Sequence, residues 1–257
     1  MSADRPKAAT ALTLLAVAWA AYLAADVAHE GLGHGGACLA LGGKIITLST
    51  TYEDCSIRSR LIDGAGPIAG IFVALLAWAR LHLAPPRSQA SRAFLALVFA
   101  FTAFWNVGYM IKSGLTDQGD WAFVIRGLEP NAIWHAGLTI LGITLYAAAM
   151  RVMGGLIAGK LQGAPGPSPL SFALTAYLAA GFLSAASAFF DPRGASTILT
   201  DALPSSLGSI GLVWVGWRID RRSPILRIAL PPSPAWIVAG LASAIFFVAV
   251  LGPGLRF

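Results

Sequence analysis

The length of the apolar runs constrains this chain more than any other feature. Seven stretches, about 10–30, 62–79, 91–111, 132–150, 171–189, 204–217 and 234–251, are strongly apolar. Most approach or exceed the ~18 residues that cross a bilayer as a helix. In lipid a backbone must satisfy its own hydrogen bonds, so such runs fold as helices. Only 12% of the residues are charged, about half the ~25% usual in a soluble domain. The expectation is an all-α polytopic membrane protein, a single membrane domain over residues 1–257 with about seven transmembrane helices. The stretch 204–217 is short and glycine-rich, and reads as either a thin span or a re-entrant element.

Between the first two runs the character changes. Lys44 to Tyr52 is β-branched and reads as a strand or hairpin, a small β-like element after the first helix. Cys38 and Cys55 flank it. They form a disulfide if this loop faces an oxidising compartment, and otherwise remain two free thiols. The net charge of +6 comes without the aromatic-and-basic pattern of a nucleic-acid module, so no nucleic-acid partner is expected. With the N-terminus cytoplasmic, the inner segments hold Arg5, Lys7, Arg80, Arg87, Arg92, Arg151, Lys160, Arg218, Arg221, Arg222 and Arg227. This excess fits a multi-pass protein of a bacterial plasma (inner) membrane. The same orientation gathers His29, Glu30, His34, Asp117, Asp120 and His135 at the outer ends of their helices.

Such a gathering is a site hypothesis, because ionisable groups near hydrocarbon are costly. Its centre is His29-Glu30-Gly31-Leu32-Gly33-His34, where two imidazoles and a carboxylate can supply metal ligands and a proton acceptor. The two histidines are five residues apart, roughly 140° around an ideal α-helix. A π-bulge would bring them together, as would a helix ending at Gly31–Gly33, and the glycines permit either. A helix continuing much beyond His34 is not expected.

The order of features resembles the intramembrane zinc metalloproteases of the site-2 protease family. That family carries His-Glu-x-x-His on a membrane helix, then a small β element, a helix opening with Gly-Pro, and an Asp-Gly motif. The similar parts here are His29-Glu30 with Gly33-His34, the stretch 42–52, Ala65-Gly66-Pro67 and Gly119-Asp120. They form a metalloprotease-like core over about 10–125, with additional helices over about 131–252. The resemblance implies a metal-dependent intramembrane peptidase. His29, His34 and Asp120 would be ligands to zinc, and Glu30 the catalytic base that takes a proton from water attacking a peptide bond. The substrate would be a membrane-embedded or membrane-adjacent peptide or protein. Asn106 would position it, and the strand in 44–52 would pair with its backbone. Here the Asp follows the Gly, and Asp117 competes with Asp120.

Two alternatives stand beside this reading. Asp26, Glu30 and His135 could form a carboxylate-rich site suited to iron or manganese. The chain could also be a catalytically inactive relative, an integral-membrane subunit or assembly factor of a larger complex with a structural metal or a His/Glu network. No internal repeat of the kind expected in a transporter is visible.

Overall fold

The computed structural model describes residues 4–257; residues 1–3, and the side chains of residues 4–6 with Arg5 among them, lie outside the described residues. Seven helical stretches are long and apolar enough to cross a membrane: Lys7–Ala40, Arg60–Leu83, Gln89–Thr116, Asn131–Leu161, Pro169–Ala188, Ile198–Arg222 and Pro234–Leu251. The sixth is longer than its glycine-rich middle suggested. A π-helical segment (Ile198–Ala202) leads into α8 (Leu203–Leu207), with α9 (Ile210–Arg222) beyond. Pro204 falls in the first turn of α8, where its missing donor does little harm, so the helix extends upstream of it.

The first stretch is α1 (Asp4–Asp26), a π-helical segment (Val27–Gly35) and α2 (Gly36–Ala40). The helix therefore runs past His34, contrary to the expectation drawn from its glycines. Packing overrides their low helix propensity: a Cβ on Gly33 would overlap the Gly66 α-carbon and stand 2.7 Å from the Ala65 carbonyl. Small residues here let two helices touch backbone to backbone. The partner helix, α3 (Arg60–Leu83), is capped by the Ser59 hydroxyl, which accepts from the Leu61 amide. It thus starts early enough to place Pro67 inside the helix. There Pro67 removes the donor that would serve the Asp63 carbonyl.

Helix α4 (Gln89–Thr116) is the most buried span. It packs against α1, α3 and α6 (Asn131–Gly159), while α1 also meets α7 (Pro169–Ala188) and α10 (Pro234–Phe246). Tyr22, Phe101, Phe104, Met153 and Phe172 fill the space between them and are almost wholly buried.

The β element is a sheet of order β2-β1-β3. β1 (Ile45–Leu48) and β2 (Glu53–Cys55) form an antiparallel hairpin, and β3 (Leu255–Arg256) joins the other side of β1. Thus β1 is central and offers no free edge, so it cannot receive a substrate backbone as expected; the outer edge of β2 is open. Cys38 and Cys55 are disulfide-bonded, tying α2 to β2. On the far side of the hairpin, Arg193 donates to Thr51 Oγ1 (2.8 Å), Asp191 Oδ2 (3.0 Å) and Asp201 Oδ2 (3.2 Å) and lies over the Tyr52 ring. Burial alone would raise the Asp191 carboxyl, but hydrogen bonds from Arg193 and Thr51 hold it below its usual range. This clasp and the disulfide fix the sheet beside the π segment.

Candidate metal centre

The π segment decides the geometry of the His-Glu cluster. Its backbone bonds reach five residues back, as in the Gly36 amide to the Gly31 carbonyl. In such a helix, side chains five apart share a face. His29 and His34 accordingly point the same way, with Nε2 atoms 3.2 Å apart. Of the two routes open in the sequence, the bulge is the one taken.

Asp120 completes the group. Asp117 ends α4 in the left-handed region (φ 55°) and Gly119 continues the turn at φ 90°, a conformation that favours glycine. The Ser113 hydroxyl holds this turn by donating to the Gln118 carbonyl. The chain then enters α5 (Asp120–Ile125) with the Asp120 carboxylate directed at the histidines. Its Oδ2 lies 3.0 Å from His29 Nε2 and 3.7 Å from His34 Nε2. Asp117 instead lies 3.7 Å from His135 Nε2, while His135 Nδ1 donates to the Gly114 carbonyl. His135 is therefore held with Asp117 and not with Asp26 and Glu30.

The outer partners of the two histidines fix their tautomers. His29 Nδ1 is 2.6 Å from Asn106 Oδ1, and the Asn106 amide nitrogen donates to the Thr102 carbonyl. His34 Nδ1 is 2.7 Å from the Ile62 carbonyl. Both partners are acceptors, so both Nδ1 atoms carry the hydrogen. Both Nε2 lone pairs then face the centre, as in metal-binding histidines whose other ring nitrogen donates to an acceptor. The small residues of α3 make the room: a Cβ on Gly66 would overlap the His34 ring, and one on Gly70 would overlap the Asn106 amide. Trp105 stacks on His29 at 4.5 Å between ring centroids, and Tyr109 stands edge-on to it at 6.2 Å.

Two lone pairs and a carboxylate converging in a buried place can hold a cation. Protons on the two Nε2 atoms are one answer. Burial pushes the Asp120 carboxyl up, but hydrogen bonds and charge from such imidazoliums outweigh it and hold the carboxyl well below its usual range. A metal ion is the other answer, and the residues fit it. The three atoms make a triangle whose centre is about 1.9 Å from each, close to zinc bond lengths of about 2.0–2.2 Å. Three protein ligands leave a position for a reactant. Glu30 Oε1 lies 3.9 Å from His29 Nε2, and Glu30 Oε2 is buried without a hydrogen-bond partner among the described residues. One turn earlier, Asp26 is 1% exposed and its Oδ1 is likewise unpartnered.

Sequence reasoning assigned Asn106 to a peptide; its side chain is spent on His29. It did not find the Ile62 carbonyl, Trp105 or Tyr109. A lone amide inside an apolar run was the available signal for Asn106. Asn106→Leu is expected to weaken metal binding about 10–100-fold, the range typical when a ligand histidine loses the acceptor that orients it, measured by competition with a chromogenic chelator. No family model, curated protein or solved structure matches this chain.

Proposed function

We propose that this protein is a zinc-dependent intramembrane peptidase with a centre like that of the site-2 proteases. The observation that carries the reading is the pair of histidines whose Nδ1 hydrogens are committed outward, leaving both Nε2 atoms and Asp120 Oδ2 on one point beside an unpartnered Glu30 oxygen. His29, His34 and Asp120 would hold zinc, which supplies Lewis acidity that polarises a carbonyl and acidifies water. Glu30 would take the proton of the attacking water at Oε2 and return it to the leaving amine. Asn106, the Ile62 carbonyl and Trp105 keep the imidazoles in position and tautomer. The substrate is a peptide in or beside the membrane. A groove of about 470 Å³ lies between β2, α3 and α5, lined by Glu53, Asp54, Arg58, Asp63, Phe123 and Arg126. There the open edge of β2 can pair with an extended backbone. Its charge distribution supports an orientation with the N-terminus cytoplasmic.

The test is metal analysis of the purified protein and of His29→Ala, His34→Ala and Asp120→Ala. About one equivalent of zinc in the wild type, and less than about a tenth in each variant, is the expected result. Full zinc content in Asp120→Ala would overturn the ligand set. A wild type that holds zinc but cleaves no membrane peptide would replace the enzyme with an inactive, structural relative.

A further inference from the structure

We propose that the end of the molecule opposite the metal centre binds an anionic glycerophospholipid in a groove between α6 and α9. Both helices run away from the metal end, and their facing stripes enclose about 470 Å³. On α6 the stripe is Ala147, Met150, Arg151 and Gly154; on α9 it includes Trp214, Arg218 and Arg222. These spacings of three and four residues put each set on one helix face.

Arg151, Arg218 and Arg222 all line this groove. Among the described residues no carboxylate pairs with Arg151, Arg218 or Arg222. The acidic residue between Arg218 and Arg222, Asp220, is engaged by the Ser168 hydroxyl at 2.8 Å. Arg218 lies over the Trp214 ring at 5.1 Å. A planar fork of donors suits a phosphate diester, and three together attract an anion strongly at a membrane surface.

The rest of the groove identifies the anion as a lipid. Ala147, Met150 and Val215 give it an apolar wall that continues toward the middle of two spanning helices. Trp214 is 42% exposed, as expected of an aromatic ring at headgroup level. A headgroup phosphate among the arginines would lead an acyl chain along that wall. Free phosphate would leave the wall unused.

The test uses the full chain in nanodiscs containing dibrominated phosphatidylglycerol or dibrominated phosphatidylcholine, with tryptophan quenching as the readout. Saturable quenching by phosphatidylglycerol is expected, with phosphatidylcholine at least about tenfold weaker. Trp214→Phe should remove that component. The triple variant Arg151→Gln/Arg218→Gln/Arg222→Gln should shift its midpoint by about 100-fold, roughly fivefold for each charge removed, and leave the phosphatidylcholine curve in place. If the triple variant does not fold, Arg218→Gln alone should give the fivefold shift. Equal quenching by both lipids, or a midpoint unmoved by loss of the arginines, overturns the proposal. Displacement of the lipid by glycerol 3-phosphate at equal concentration also overturns it, because the site would then read phosphate alone.

Discussion

Glu30→Gln is expected to keep its zinc and lose peptide cleavage by about a thousandfold, within the ~10²–10⁴ that a positioned general base contributes. The amide has nearly the shape of the carboxylate, so the buried space is still filled. What disappears is the acceptor: an amide cannot take a proton from water and pass it on. Because His29, His34 and Asp120 are untouched, metal content should match the wild type. The paired measurement separates two roles for Glu30. Loss of both metal and cleavage would make Glu30 a ligand, in the manner of a carboxylate-rich iron or manganese site. Retention of both would leave it with neither role. Kinetics with a transmembrane peptide and elemental analysis of the same preparation decide the matter.

The second large effect lies outside the ligand set. Gly66→Ala adds one methyl group where the His34 ring already stands. The ring cannot easily retreat, because its Nδ1 is held at 2.7 Å by the Ile62 carbonyl and its Nε2 stands 3.2 Å from His29. Overpacking of this kind typically costs about 1–3 kcal/mol, and here the cost falls on the position of a ligand. Zinc affinity should drop about 10–100-fold, the consequence expected when a supporting contact of a ligand is lost. Gly64→Ala is the control. Its added methyl meets only side-chain methyl groups, Val124 at 3.2 Å and Ile68 at 3.9 Å, and these can move aside. Equal losses in the two variants would show that α3 responds to any added bulk rather than through His34.

The spans and the four central residues were legible for one physical reason: polar groups are expensive in apolar surroundings, so His29, Glu30 and His34 stand out in a run of Ala and Leu. Asp120 was legible only through its neighbour Gly119, and the structure shows why that neighbour matters, since the turn needs φ 90° there. The rest depended on information that local sequence does not carry. Nothing near Thr47 and Leu48 announces that Arg256 and Leu255 will pair with them, because a two-residue strand has almost no pattern of its own. The Ile62 carbonyl is a backbone atom and leaves no trace in composition. Glycine was misleading between 31 and 36, because the same residue that weakens an isolated helix allows a close crossing in a packed one. The Arg193 clasp joins the hairpin to loops nearly 140 residues away in sequence, a non-local contact that no motif marks.

The π segment also has a meaning for helical phase. Upstream of it, α1 must turn one stripe toward α10, where Gly240 lies so close that a Cβ would overlap the Ala16 backbone. Downstream, the same helix must turn both imidazoles toward α3 and α5. In an uninterrupted α-helix each residue advances the face by about 100°, so the two demands fix one another. A wider helical turn carries an extra residue without carrying that rotation along the whole helix. The first span can therefore set its packing face and its chemical face separately, and the segment between Val27 and Gly35 is where the two settings are reconciled.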